Sequence, residues 1–475
     1  MLNQSPSSAH SQVKPKGTRA NWVCTRQPLA VFGVELMGLT SLFIGLSGVP
    51  SHLEVAQSAP STPPASVTKK FLNMEESFEQ EFERFFEADM AEVTQDPADV
   101  AQTLDQISKA SDTNPGVLWV VPRDDHLHLV LLLPGGKPVV RDLYDVPRAK
   151  LLQTVAAFQE QINNPNGQWN LELAQQLHQW LIAPFEQKYL QAAEIDTLLF
   201  CLGNGLRGLP LAALHDGDRY LVEKYSSSNI PAFNLIQTDY QQRKPGKILA
   251  AGASEFLLQD SLPSVPTEIA AILNFLRTNR PGQTPWQGQS LLNHNFTLQN
   301  LKSRLEDQTY NIVHLATHAE FKPGRPRQSF IQFRDTRLRL DQMGTLNWSN
   351  PSLDLLVLSA CKTALGDRTA ELGFAGIALR AGVKTALGSL WYVSDIGTLA
   401  IMSKFYQQLP QSTTKAEALR QAQLQMLQGK IRAENGQLIM SDTPIALPSE
   451  ISDIADIDFS HPFYWSGFTM LSSPW

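Results

Sequence analysis

Two runs of apolar residues that each end on a reactive side chain dominate the hydrophobic pattern of this chain. Val-His-Leu-Ala-Thr-His-Ala at 313–319 stops at His318, and Leu-Val-Leu-Ser-Ala-Cys-Lys-Thr at 356–363 stops at Cys361. Both are short, rich in Val and Leu and lack polar alternation, which predicts strands buried on both faces of a parallel sheet. The carboxyl ends of such strands face the ligand crevice, so neighbouring strands would bring an imidazole and a thiol to one rim.

Around these runs strand and helix patterns alternate. Residues 67–110 read as helix, with Phe71, Met74, Phe78, Phe82, Phe85, Phe86 and Met90 at three- and four-residue steps. Glu75, Glu76, Glu79, Glu81 and Glu83 fall largely on other faces, so an amphipathic helix packed on the main domain is expected. Residues 117–121 and 126–133 read as a hairpin turning at Arg123-Asp124-Asp125 and closing at Pro134-Gly135-Gly136. A helical region to about Ala193 follows, then a buried strand at 195–200. The glycines of the loop at 203–210 match neither phosphate-binding spacing and are assigned to tight turns. From Lys247 a second series runs: strand 248–252, helix 267–277, the His318 strand, the Cys361 strand, a helix ended by Gly382, strand 383–391, and helices at 398–408 and 414–429. This alternation predicts an α/β, three-layer α/β/α fold with a mostly parallel sheet.

At 475 residues with 43% hydrophobic content, the chain has enough material for a large core or several domains. Its net charge of −7, from 39 basic and 46 acidic residues, argues against nucleic acid as the main partner. The three cysteines, Cys24, Cys201 and Cys361, form no CxxC pair, so a disulfide framework or cysteine zinc site is not expected. The ten histidines lack the HExxH spacing, and no metal or cofactor is called for.

The amino terminus reads as a targeting segment. Residues 1–27 carry Lys14, Lys16, Arg19 and Arg26 with no acidic residue, and an apolar run at 36–49 follows Glu35. Ala56-Gln57-Ser58 suits cleavage after Ser58, and a Pro/Ser linker follows at 59–66. Export is the preferred reading; an uncleaved membrane anchor or a buried helix of a cytoplasmic protein are its alternatives. The divisions expected are 1–58 signal or anchor, 59–66 linker, 67–112 helical extension, and two further segments at 113–240 and 241–475.

A thiol needs a base or cation nearby to become thiolate at neutral pH, and His318 beside Cys361 would supply one, pointing to a cysteine peptidase. The competing reading of Cys361 is a buried structural cysteine, and His314, in mid-strand, reads as a satisfied core histidine.

Four segments in order now carry a resemblance. His-Leu-Ala-Thr-His at 314–318, Leu-Ser-Ala-Cys-Lys-Thr-Ala at 358–364, Gly-Ser-Leu-Trp at 388–391 with Asp395, and His-Pro-Phe-Tyr-Trp-Ser-Gly-Phe at 461–468 resemble the CHAT domain family. That family belongs with caspases, separase and gingipains in the caspase-hemoglobinase fold. The resemblance covers roughly 113–475, and Leu-Arg-Gly-Leu-Pro-Leu-Ala-Ala-Leu-His-Asp-Gly at 206–217 matches the inactive, pseudo-caspase-like first half of such domains. It implies Cys361 as nucleophile, His318 as dyad partner, and protein or peptide substrates. The oxyanion donors would be the N–H of Cys361 and of the residue after the histidine, here Ala319 where relatives have glycine. Trp391 and Asp395 would border the pocket for the residue before the scissile bond, a carboxylate there favouring Lys or Arg. The ordinary alternative for Asp395 is a helix N-cap. Asp367, Arg368 and Glu371 read as loop salt bridges or substrate contacts, and His461, preceding a proline, as structural. The Pro- and acid-containing stretch 433–459 reads as a mobile insert. An inactive scaffold on the same fold, and a hydrolase or transferase acting on a non-peptide acyl group, are the alternatives to the peptidase.

Overall fold

The computed structural model describes residues 65–475 apart from Ala91, Gln168, Leu258, 279–283, Asn347, 349–352, Ala364, 441–443 and 454–455; at Ala360 and Cys361 it describes the backbone alone. The expected signal or anchor lies outside the described residues, as does the linker except for Ala65 and Ser66, which begin the first helix. Among the described residues no helix is long and apolar enough to cross a membrane.

The extension forms two helices, α1 (Ala65–Phe86) and α2 (Pro97–Ser111). Asp96 ends the gap between them by accepting the N–H groups of Ala98 and Asp99, a capping box with Pro97 at the first helical position. Strands β1 (Pro115–Pro122), β2 (Leu127–Leu132) and β3 (Val139–Leu143) follow, then α3 (Arg148–Ile162), α4 (Glu172–Leu181) and β4 (Thr197–Leu202). A short α5 (Leu221–Lys224) leads to β5 (Ser226–Ile230). The next stretch holds β6 (Lys247–Gly252), α6 (Val265–Arg277), β7 (Gln287–Leu292), α7 (Leu298–Asp307) and β8 (Ile312–Phe321). After the short β9 (Phe330–Gln332) and β10 (Arg337–Arg339) come β11 (Leu355–Thr363), α8 (Arg368–Ala375), α9 (Ile377–Ala381) and β12 (Thr385–Ser389). The chain ends with α10 (Asp395–Gln408), α11 (Lys415–Leu427), the short strands β13 (Arg432–Glu434), β14 (Gln437–Ile439), β15 (Ile445–Ala446) and β16 (Ile457–Asp458), α12 (Pro462–Trp465) and β17 (Phe468–Ser472).

One 13-stranded sheet organises these elements, in the order β10-β9-β8-β11-β12-β17-β5-β4-β1-β2-β3 with β6 and β7 branching from β8. Pairing is parallel from β1 through β4 and β5 to β17, and again among β12, β11, β8, β6 and β7. The two parallel blocks meet at the antiparallel β12–β17 pair. Alternation along β1 sends Leu118 and Val120 into one cluster with α3 and α4, and Val117 and Trp119 into another with α1 and α2. Helices therefore cover both faces, and the expected three-layer, mostly parallel α/β/α fold is the one observed.

Several local expectations are corrected. The helical pattern over 67–110 is two helices. Glu75 and Glu79 do not face solvent: both are buried in α1. Glu75 accepts from the Trp119 indole N–H and from the backbone and side-chain N–H groups of Asn234, buried donors that need an acceptor. Strand β3 lies inside the region read as helical. The stretch 433–459 is not an open insert; its described residues form the four-stranded order β15-β14-β13-β16, with Leu438 and Phe459 buried. The segment 461–471, read from its aromatic and apolar residues as one final strand, instead opens with a helical turn, and the last strand begins only at Phe468.

Candidate active site

Strands β8 and β11 are adjacent and parallel, as the two apolar runs require. Neither run ends where expected. β8 continues past His318 to Phe321 because its far edge, paired with β6 as far as Ala316, is taken over by β9. β11 likewise runs on to Thr363. Between the Leu358–Leu315 and Ala360–His318 pairs the register slips by one residue, so Ala316 and Thr317 stand opposite Ser359 alone. This β-bulge, a device that re-aims side chains beside active sites, puts His318 level with Ala360 and the backbone of Cys361 one residue further on.

The imidazole of His318 is held on three sides. Its Nε2 is 2.8 Å from the Asp260 carbonyl oxygen, which can only accept, so Nε2 carries a proton. The Phe256 ring meets it edge-on at 4.8 Å between centroids, and the Tyr392 ring, inclined at 27°, lies at 6.4 Å. Nδ1 has no protein partner among the described residues and, in the neutral ring, bears the free lone pair. Phe256 and Asp260 belong to the loop between β6 and α6, Tyr392 to the loop between β12 and α10. Gly252 ends β6 beside the bulge: a Cβ there would lie 2.3 Å from the Ala316 carbonyl oxygen, so only glycine fits.

His314, four residues earlier, is fully buried and satisfied, as expected. Its Nε2 donates to Glu268 at 2.9 Å and its Nδ1 accepts from the Tyr406 hydroxyl at 3.2 Å. Burial, reinforced by the Glu268 charge, holds the Tyr406 phenol well above its ordinary range. The group ties β8 to α6 and α10 from inside the core.

Asp395 is the first residue of α10, whose cap is Ser394, accepting the Gly397 N–H at 3.2 Å. The Asp395 carboxylate instead accepts the Ser264 N–H at 2.7 Å, at the start of α6. Burial, with Glu268 adding repulsion, pushes its pKa up to about 6. Trp391 is 3% exposed, and its indole N–H donates to the Phe463 carbonyl at 3.0 Å. It is buried and fastens the C-terminal segment to the end of β12. Ala319, expected as an oxyanion donor, has strand neighbours on both sides, Cys361 and Ile331.

Among the described residues, the loop after Cys361 is built from caps and hydrogen bonds rather than salt bridges. Asp367 caps α8 by accepting from Thr369 and Ala370. Partial burial works to raise its carboxyl, but these bonds outweigh it and hold the pKa below the usual range. Glu371 is buried, which raises its pKa, and accepts the Gly366 N–H at 2.9 Å. Arg368 donates to the Asn204 side chain, tying this loop to the one after β4. Arg207 in that second loop pairs with Glu81 and lies over the Phe82 ring, so α1 also braces it. His461 caps α12 by accepting the Phe463 N–H at 3.1 Å. Cys201 is buried in β4, its thiol donates to the Pro231 carbonyl, and burial keeps it protonated.

The sequence reading missed Phe256, Asp260, Tyr392 and Gly252. Asp260 acts through its backbone carbonyl, which leaves no mark in residue identity. Gly252 alone had a signal, a glycine closing a buried strand.

No curated protein matches the chain. Among solved structures it is similar to separase in the Saccharomyces cerevisiae separase–securin complex, with a TM-score of 0.49 and 11% identity over 86% of this chain and 34% of that one. It thus corresponds to about a third of the separase chain's length. It is also similar to the Arg-specific cysteine proteinase gingipain R, at 0.38 and 9% over 64% of this chain and 68% of that one. The Porphyromonas gingivalis RgpB pro- and mature-domain complex gives 0.38 and 10%, over 64% and 69%. The family model of the CHAT domain matches residues 171–473, beginning later than the resemblance from 113 but spanning more than half of the sequence, and the chain belongs to the CHAT domain family.

Proposed function

We propose that this protein is a cysteine peptidase in which Cys361 is the nucleophile and His318 its base. The observation that carries the reading is the His318 imidazole, tied by Nε2 to the Asp260 carbonyl so that Nδ1 is the basic atom, on the strand next to Cys361. Nδ1 takes the thiol proton as sulfur bonds to the scissile carbonyl carbon, then returns it to the departing amine nitrogen. Water next attacks the thioester; sulfur leaves, a carboxylic acid is released, and the free enzyme is regenerated. The Cys361 N–H is the oxyanion donor we favour, since Ala319 is flanked by a strand on either side.

Asp395 is our candidate for a preference for Lys or Arg before the scissile bond. With its pKa near 6, that preference would strengthen as pH rises through 6 and the carboxylate ionises. Alanine at 319, paired with a strand on both sides, favours a second reading, an inactive scaffold. The deciding experiment is the pH dependence of alkylation at Cys361, peptide-mapped against Cys24 and Cys201, in wild type and His318→Ala. Fast labelling below pH 7 that disappears in His318→Ala supports the dyad. An ordinary thiol profile in both proteins sinks it and leaves the scaffold.

A further inference from the structure

We infer a second site, a binding site for a divalent transition-metal cation on the hairpin edge of the sheet, formed by His126, His128 and Asp142. His128 and Asp142 are direct cross-strand partners in β2 and β3, and His126 precedes His128 by two residues on the same side of the β1–β2 turn. Their ligand atoms all lie within 4.8 Å of one another. His126 Nε2 is 3.4 Å from Asp142 Oδ1, close to the roughly 3.3 Å between ligands of a tetrahedral ion with bonds of about 2.0–2.1 Å. His128 Nδ1 is 2.6 Å from the same oxygen, a hydrogen bond that opens slightly to admit the ion.

A second, independent feature prepares the site. The Asp125 carboxylate lies 2.7 Å from His126 Nδ1, the ring nitrogen facing away from Asp142. Accepting a hydrogen bond from Nδ1–H fixes the tautomer that leaves Nε2 as a lone-pair donor, the carboxylate–histidine–metal relay of many zinc sites. The Tyr144 ring, 4.8 Å away, packs on the same imidazole.

Two imidazoles and one carboxylate select zinc, cobalt or nickel over calcium or magnesium, which prefer all-oxygen shells. Three protein ligands leave a fourth position for water. The ion would join the β1–β2 turn, β2 and the exposed edge strand β3, whose residues are half-buried or exposed throughout. It would be remote from Cys361: β12, β17, β5, β4 and β1 separate β11 from β2, about 29 Å at ~4.8 Å per strand step.

The test uses the untagged full chain carrying Cys361→Ala, so that the thiol cannot bind metal. Zinc affinity is measured by competition with a chromophoric chelator, the cobalt d–d spectrum reports coordination, and thermal midpoints are recorded with zinc and with chelator. We expect one zinc equivalent, abolished by His128→Asn, and a zinc-induced rise in midpoint that vanishes with it. Asp125→Asn should weaken binding roughly 10–100-fold without touching the ion. Circular dichroism in chelator checks that each variant is folded. No zinc bound by the parent, or equal binding in parent and His128→Asn, overturns the site.

Discussion

Asp395→Asn separates the stability of the site from its chemistry. The asparagine oxygen can still accept the Ser264 N–H, while the charge that burial and Glu268 oppose is gone. The wild-type carboxyl titrates near 6 in the folded protein, against about 3.9 unfolded. At about 1.4 kcal/mol per unit, two units make the ionised form about 3 kcal/mol less favourable to folding than the protonated one. The folded pKa is the higher, so this stability is present in full below about pH 4 and is lost as pH rises through 6. Urea midpoints should therefore be nearly equal for wild type and Asp395→Asn at about pH 3, with the variant gaining by up to about 3 kcal/mol at pH 8. Asp395→Ala should gain about 1 kcal/mol less, having no acceptor for the Ser264 N–H. If the Asn variant gains nothing at pH 8, the carboxylate is well compensated when charged and the burial argument is wrong. Loss of cleavage after Lys or Arg in the stabilised variant would explain why an unfavourable charge is kept there.

Three further outcomes follow from the geometry. Glu75→Ala strands the Trp119 and Asn234 donors and should cost roughly 3 kcal/mol or more, read as a lower melting temperature and faster proteolysis in the 87–96 connection; unchanged melting would refute the anchoring of α1. Gly252→Ala drives a Cβ against the Ala316 carbonyl and should cost about 1–3 kcal/mol while abolishing the His318-dependent labelling of Cys361; a wild-type labelling profile would dismiss the bulge as the aiming device. Phe256→Ala removes a ring contact worth about 0.5–1.5 kcal/mol, so kcat should fall roughly 3–10-fold with the His318-dependent pH profile retained, and full activity would show the contact to be idle.

Much of the architecture could be read from pattern alone. Apolar runs at 198–202, 248–251 and 355–358, inside or overlapping the strands read at 195–200, 248–252 and 356–361, announce strands covered on both faces, because a half-exposed strand would have to alternate. The start of α10 follows from Ser394, a side chain that accepts an orphan N–H group, whereas the Asp96 cap that divides 67–110 into two helices was passed over. β3 escaped because Val-Val-Arg-Asp-Leu lies at a sheet edge, where burial does not enforce alternation and pairing with β2 supplies the strand. Glu75 was misjudged for a related reason. A carboxylate on a helix reads as solvated until the fold brings donors 44 and 159 positions away to meet it.

By itself the sequence determined the alternating α/β order, the family and the pairing of a histidine strand with a cysteine strand, because periodicity and local motifs record what each segment buries. It also recorded the His-x-His spacing of the hairpin. Only the tertiary structure decided that β8 bulges before His318, that Asp260 lends a carbonyl to its Nε2, that Trp391 turns inward, and that Asp142 and Asp125 join the two hairpin histidines. Each of these depends on register and on backbone atoms common to all residues, and such information appears only when strands distant in the chain are laid side by side.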